Sequence, residues 1–356
     1  MNNSFFIGKK KIGLESPTYF IADIAANHDG NLDKALELIN VAAESGADAA
    51  KFQHFQAETI VSDFGFKSLG EQKSHQSSWK KSVFDVYKDA SLPLEWTPIL
   101  KKECDKVGIE FFTSPYSLEL VDYVDEYLQV YKIGSGDITW LEIVEHIAKK
   151  NKPIIIATGA STSDDVDRVI NCVKNINKNL CIMQCNTNYT ANEKNLKYLN
   201  LNYLKTLKNK YPDLVLGLSD HTHGNVSVLG AITLGARIIE KHFTLSNDLE
   251  GPDHKFSMTP KTWREMIDCS RDLELTLGNG KKKIEDNEKE TVILQRRCIR
   301  AKNKIYKNHI ISRQDLVVLR PNIIGSIQPF DLKDIIGKRV NKNIKEHENI
   351  KWEDIE

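Results

Sequence analysis

The stretch Tyr19–Gln53, YFIADIAANHDGNLDKALELINVAAESGADAAKFQ, decides the fold. It opens on an apolar, β-rich run, Tyr19 to Ala25, and ends on a second, Asp48 to Gln53. Between them Leu32, Ala35, Leu36, Ile39, Ala42 and Ala43 keep a 3.6-residue apolar stripe, and Gly46 supplies the stop. The segment therefore predicts one strand–helix–strand unit. Its first turn, AANHDG, has a single glycine, unlike the glycine-rich turn of a doubly wound dinucleotide fold. Six more runs follow: Ile109 to Ser114, Val130 to Gly134, Pro153 to Thr158, Cys181 to Asn186, Leu214 to Asp220 and Arg237 to Phe243. Eight such strands alternating with helices predict an α/β protein built on a closed parallel (β/α)8 TIM barrel.

Three segments stand outside the repeat. FFIGKKKIG, within residues 1–18, has apolar ends around a basic turn and predicts a hairpin able to plug the barrel's lower end. The polar connection Gln56 to Ser91 is too long for a plain loop, and reads as a functional loop with a short helix. After a last helix, about Pro260 to Leu277, a charged, glycine-bearing run ends the barrel domain near residue 280, with a linker over 281–292. In the remainder, 293–356, Ile305, Ile311, Asp315 and Leu316 recur at a constant offset as Ile344, Ile350, Asp354 and Ile355. A small β-rich domain with two related halves is expected.

The 356 residues carry 49 Lys and Arg against 49 Asp and Glu, so no net field draws nucleic acid or anionic lipid. No apolar run spans a membrane and the N-terminus has no signal-peptide core. Six scattered Cys without a zinc-type pairing fit a reducing compartment, and a cytoplasmic location is expected.

In a β/α barrel the chemistry sits at the C-terminal ends of the strands. Here those ends hold Asp23, Lys51 with Gln53, Ser114, Lys132 with Ser135 and Asp137, Thr187, Ser219 with His221, and Lys241 with His242. Any one of these could be an ordinary turn residue; the set is harder to explain so. His221 and His242 end neighbouring strands, where two neutral imidazoles suit a first-row divalent metal with open positions. His28, His223 and His254 are secondary candidates. Lys51 and Lys132, among apolar neighbours, call for an anion. That anion is either a phosphate or carboxylate of a ligand, or a barrel carboxylate such as Asp23 or Asp137.

IADIAANHDG, GADAAKFQ, FFTSPYS, YKIGSGD, ATG, GLSDHT, EKHF and GPDHKFSM occur in that order, followed by LRP at Leu319 to Pro321. Together they resemble the sialic acid synthase family, whose members carry a C-terminal antifreeze-like (SAF) domain of the β-clip type. The resemblance implies condensation of phosphoenolpyruvate with an N-acylated mannosamine-type aldose to a nine-carbon nonulosonic acid. It implies Mn2+ or Mg2+ on His221 and His242. Phosphoenolpyruvate would meet Lys51, Lys132, Ser114, Ser135 and Ser219, with Gln53 and Thr187 beside the substrates, and Tyr189 and Asp253 would grip the aldose. Asp23 and Asp137 would manage protons, and Arg320 would reach the partner's site in a domain-swapped homodimer.

The sequence departs from the family pattern where Asp23 and Asp137 replace the usual Glu, Ala157 a serine, and Thr187 an asparagine or serine. Asn308 takes a usual glycine position. The resemblance implies a sialic-type product, N-acetylneuraminate first, with legionaminate or pseudaminate as alternatives; the GSG of YKIGSGD is the run that sialic and legionaminic acid synthases share and pseudaminic acid synthases lack. A barrel synthase acting on a sugar phosphate would need a second anion site, and no arginine cluster supplies one at the strand ends. A non-catalytic sugar-binding protein is the remaining rival, one with no use for converging imidazoles.

Overall fold

The computed structural model describes residues 4–72, 76–77 and 79–356. Part of the long connection after the second barrel strand, residues 73–75 and 78, lies outside the described residues. The chain divides into two compact units, Met1–Gly278 and Asn279–Glu356.

The first unit begins with an antiparallel hairpin, β1 (Ser4–Ile7) and β2 (Lys10–Gly13). Eight parallel strands follow: β3 (Tyr19–Asp23), β4 (Ala49–His54), β5 (Glu110–Pro115), β6 (Tyr131–Ile133), β7 (Ile154–Ala157), β8 (Leu180–Cys185), β9 (Val215–Asp220) and β10 (Ala236–His242). They pair in the order β5-β4-β3-β10-β9-β8-β7-β6, so first and last barrel strands are neighbours, Ile238 opposite Tyr19 and His242 opposite Asp23. The backbone ladder is interrupted between β5 and β6 among the described residues, so the barrel is nearly closed rather than closed. The short β6, three residues long, offers few groups to complete that seam.

Side-chain alternation sorts the strands into two apolar layers. Tyr19, Ile21, Ala49, Phe112, Ile155, Cys181, Met183, Val215 and Ile238 fill the barrel, and Phe5, Ile7 and Ile12 of the hairpin join the same cluster. The predicted plug is thus present, inserted among the lower interior residues. Phe20, Ala22, Ala50, Phe52, Phe111, Ile154, Ile156 and Ile239 point outward to the helices. The first helix, Leu32–Glu44, is capped by Asn31, whose side chain accepts from the Lys34 N–H. It buries Ala35, Leu38, Ile39 and Ala42, while Leu32, Leu36 and Ala43 only flank the core. The last helix, Pro260–Leu277, starts at a Thr259 capping box with proline in its first turn. No helix among the described residues is long and apolar enough to cross a membrane.

In the second unit a three-residue 3-10 turn, Asp286–Glu288, and a helix, Lys289–Gln295, precede the antiparallel pair β11 (Cys298–Ala301) and β12 (Leu316–Leu319). The internal echo is real in space. Ile305 bridges Ile344, and Ile305, Ile311, Ile344 and Ile350 share one buried core. Asp315 and Asp354 each accept a backbone N–H from three residues back, Ser312 and Lys351, at 2.8 and 2.9 Å. Asn308 and His347 occupy equivalent left-handed positions, φ 70° and 60°. Asparagine tolerates that conformation, so the missing glycine at 308 is accommodated.

Candidate active site

The alternation that fills the barrel with apolar side chains below turns polar at its upper end. Continuing along the same face from Ile21, Ala49, Phe112, Met183, Val215 and Ile238 gives Asp23, Lys51, Ser114, Cys185, Ser219, and then Glu240 with His242. Lys51 Nζ lies 2.6 Å from Asp23 Oδ2 and 3.8 Å from Glu240 Oε1. Lys132 Nζ lies 3.3 Å from Glu240 Oε1, which also accepts the Ser219 hydroxyl at 3.2 Å. The barrel carboxylate anticipated for the lysines is Asp23 for Lys51, as expected; for Lys132 it is Glu240 and not Asp137.

Burial alone would raise the Glu240 carboxyl, but Lys132 and Lys51 outweigh it and hold it down at about 2. Burial pushes Asp23 the other way, above its ordinary value, against the pull of Lys51. Two carboxyls around one ammonium are thereby separated into a permanent anion and a group able to exchange a proton.

His221 and His242 follow β9 and end β10, their ring centroids 5.3 Å apart. Burial lowers both imidazoles to about 4, with His242 adding to the effect on His221, so both rings are neutral at neutral pH. His221 Nδ1 donates to the Asn186 carbonyl at 3.0 Å, which leaves Nε2 as a lone-pair donor. His242 Nδ1 is buried without a hydrogen-bond partner, 3.9 Å from Asp253 Oδ2, and Nε2 is 3.5 Å from Asp23. Two neutral rings with free ring nitrogens fit a divalent ion held by few protein ligands. No group of three or more His, Cys, Asp or Glu among the described residues forms a fuller metal cage. Phe256 packs on both rings, 4.8 Å from His242 and 6.0 Å from His221, and Tyr189 lies 4.4 Å from His221.

Above this floor opens a cleft of about 410 Å³ lined by Gln53, Ser135, Asp137, Tyr189, His242 and Asp253. One wall is apolar and aromatic: Phe55, Ile60, Trp79, Val86, Tyr87 and Tyr116. Most of it comes from the long connection after β4, which has short helices at Ala57–Ile60, Asp63–Ser68 and Val83–Ala90 rather than one. Asp137 ends the 3-10 turn Ser135–Asp137, and burial raises its carboxyl to about 6 against Lys132. Ser135 Oγ accepts the Gly159 N–H at 2.9 Å. A Cβ at Gly159 would fall 2.5 Å from Thr187 Cγ2, 3.0 Å from Ser135 Oγ and 3.1 Å from Cys185 Sγ, so the ATG turn needs its glycine. Ser114 Oγ, buried, has no hydrogen-bond partner.

Asp23, Lys51, Lys132, Ser219, His221 and His242 thus meet at the barrel mouth, and Gln53, Ser135, Asp137, Tyr189 and Asp253 line the cleft above. Arg320 belongs to the second unit, where it is exposed. His223 is exposed, and His28 packs edge-on against Trp96. Sequence reading passed over Glu240 and Cys185. Counting back two from His242 and on two from Met183 finds both, since alternate residues share a face.

A parallel barrel with buried lysines, carboxylates and two neutral imidazoles converging at its upper mouth, joined to a small β domain, defines an enzyme of the TIM-barrel class. Comparison with known proteins makes this specific. The NeuB family model matches residues 38–282 and the SAF domain model residues 296–356, so the chain belongs to the NeuB family and carries a SAF domain. It is 34% identical to an N,N'-diacetyllegionaminic acid synthase of Legionella pneumophila, covering 98% of each chain. To the enzyme of the same name from Campylobacter jejuni it is 36% identical, over 94% of this chain and 99% of that one. The solved sialic acid synthetase of Leptospira borgpetersenii superimposes with a TM-score of 0.71 at 29% identity, over 82% of this chain and 96% of that one.

Proposed function

We propose that the protein condenses phosphoenolpyruvate with an N-acylated, mannosamine-type aldose, giving a nine-carbon nonulosonic acid and phosphate. The observation carrying this reading is the convergence of Lys51, Lys132, His221 and His242 on one mouth, with Ser114 Oγ and His242 Nδ1 buried and unpartnered there. Groups left open at such a cost are groups awaiting a ligand.

In this reading Lys51 and Lys132 bind the phosphate and carboxylate, and Ser114, Ser135 and Ser219 add hydroxyls. Gln53 and Thr187 border them. Tyr189 and Asp253 hold the aldose so that its carbonyl carbon faces C3 of phosphoenolpyruvate, replacing a bimolecular encounter by a positioned one. A Mn2+ or Mg2+ on His221 and His242, when bound, supplies Lewis-acid polarisation of the aldehyde. Attack by C3 forms the carbon–carbon bond, water adds at C2, and the C–O bond to phosphate breaks, with both electrons leaving on phosphate. Asp137 and Asp23 take the proton of the water and return one to the new hydroxyl. The lysines meet the charge that develops on the departing phosphate. The protein acts as a domain-swapped homodimer whose Arg320 contacts the N-acyl group in the partner's site, and it works in the cytoplasm.

We take N-acetylmannosamine, leading to N-acetylneuraminate, as the acceptor; the GSG that follows β6, a run shared by sialic and legionaminic acid synthases, speaks only against a pseudaminate-type product. A 2,4-diacetamido-2,4,6-trideoxy hexose is a second reading. It is supported by the 34 and 36% identity to legionaminic acid synthases, against 29% to the human N-acetylneuraminate-9-phosphate synthase, and by an apolar cleft wall suited to a deoxy carbon. Relatives named pseudaminic acid synthases are 30% identical. Phosphate release from phosphoenolpyruvate with Mn2+, measured with each sugar and with none, tests the whole. Release with one sugar alone identifies product and reaction; no release with any of them refutes the condensation.

A further inference from the structure

His254 is fully buried and, unlike its neighbour Asp253, does not line the cleft. Its Nε2 lies 3.1 and 3.2 Å from the two oxygens of Asp29, and its Nδ1 is 2.6 Å from Thr244 Oγ1. Asp29 comes from the turn after β3, where its φ of 51° and that of Gly30, 67°, turn the chain back. A carboxylate only accepts, so Nε2–H is the donor in that contact. The backbone of Gly251 presses on the pair. A Cβ there would fall 2.6 Å from His254 Cδ2 and 3.1 Å from Asp29 Oδ1.

Around this contact the segment Gly251–Met258 is tied at Asp253, His254, Ser257 and Met258. Asn247 Nδ2 donates to the carbonyls of His254 and Ser257, at 2.7 and 2.8 Å. Ser257 Oγ donates to the Asp253 carbonyl at 2.6 Å and accepts from Asn27 Nδ2 at 3.0 Å. Met258 N donates to the His242 carbonyl at 2.8 Å. The residue before His254 lines the cleft: Asp253 accepts the Ala26 N–H at 3.3 Å, while Phe256, two residues after His254, packs on both imidazoles.

We infer that His254 and Asp29 form a clasp that sets the position of Asp253, and so are positioning residues for the aldose. The inference rests on the proposed role of Asp253. It assigns the turn after β3 and the segment after β10 to one device: the first supplies the acid, the second the imidazole, and their contact fixes where the Asp253 carboxylate stands above His242. Loss of the clasp leaves the lysine cluster intact, since neither residue touches Lys51, Lys132 or Glu240 among the contacts of those groups. The aldose half of the site should therefore suffer alone.

The test is steady-state kinetics of Asp29→Ala, which removes the acceptor, of His254→Ala, and of the conservative His254→Gln, whose amide can still donate to Asp29. In Asp29→Ala and His254→Ala the KM for the aldose should rise about tenfold or more. The KM for phosphoenolpyruvate should stay within about twofold, and His254→Gln should recover part of the loss. Equal rises in both KM values, or no rise in either, overturn the clasp. Amide hydrogen exchange of 251–258 judges it without turnover: selective acceleration there in Asp29→Ala supports it, and unchanged exchange overturns it. A wild type that releases no phosphate with any sugar refutes the proposed condensation, and the exchange result then still decides the clasp.

Discussion

Two buried ion clusters lie back to back across the ends of β9 and β10, and they are built differently. The outward one pairs Lys241 Nζ with Asp220 Oδ2 at 2.5 Å and with the Thr222 carbonyl at 2.5 Å. Asp220 also accepts from the Thr222 N–H and hydroxyl and from Ser227 Oγ. The inward one spreads Lys51 and Lys132 around Glu240 at 3.8 and 3.3 Å, and leaves Glu240 Oε2, Ser114 Oγ and His242 Nδ1 without hydrogen-bond partners. Desolvating an ion is costly, so a pair kept for structure closes its hydrogen bonds. A cluster that keeps some open holds them for a ligand, whose binding then offsets the cost.

The largest effect should come from the inward cluster. His242→Ala should lower turnover by about three orders of magnitude or more while far-ultraviolet circular dichroism is unchanged, because only one open side of the mouth is lost. Retention of most of the activity would remove His242 from the chemistry. The outward cluster should answer in stability. Lys241→Met strands the Asp220 carboxylate and should cost about 3–5 kcal/mol in urea unfolding. Lys51→Met should cost less, since Asp23, already raised by burial, can take up a proton in place of its lost partner. Equal stability losses from the two lysines would erase the distinction between the clusters.

Much of this site was legible in the sequence because strand periodicity is simple. Once Ser219, His221 and His242 were placed at strand ends, their convergence followed from the parallel barrel, and so did the plug, from an apolar–basic–apolar run. Glu240 was not legible in the same way. In RIIEKHF an acid flanked by Ile239 and Lys241 looks like half of a local charge pair, whereas alternation sends Glu240 inward and Lys241 outward to different partners. The partner of Lys132 depends on which carboxylate is one strand-width away in space, and sequence order does not carry that. The aromatic wall was equally hidden, because its residues are spread through an irregular connection with no period to read.

A smaller effect should appear in pH dependence. Burial raises Asp137 to about 6 from its ordinary 3.8. As a base it is silent while protonated, so kcat/KM for phosphoenolpyruvate should fall as pH drops through about 6. The same shift has a sign in stability. Between pH 4 and 6 the folded protein binds more protons at this group than the unfolded chain, so its contribution declines as pH rises through that window. The acid limb should move in Asp137→Glu, and a limb that stays near 6 there would assign it to another group.

The smallest effect expected is that of Asp23→Glu, which lengthens the acid by one methylene. Asp23 is already engaged at both oxygens, Oδ1 accepting the Ala25 N–H at 3.1 Å and Oδ2 meeting Lys51 at 2.6 Å. An added methylene carries the carboxyl about an ångström past those partners, a displacement large enough to matter in a positioned site. Charge is conserved, so stability should hardly change, while kcat should fall by about two- to tenfold. The loss would mark the inward cluster as tuned to the shorter acid. An unchanged kcat would mean that Lys51 and the turn at Ala25 follow the carboxyl wherever it goes, which a cluster held as loosely as this one can do and the closed Asp220–Lys241 pair cannot.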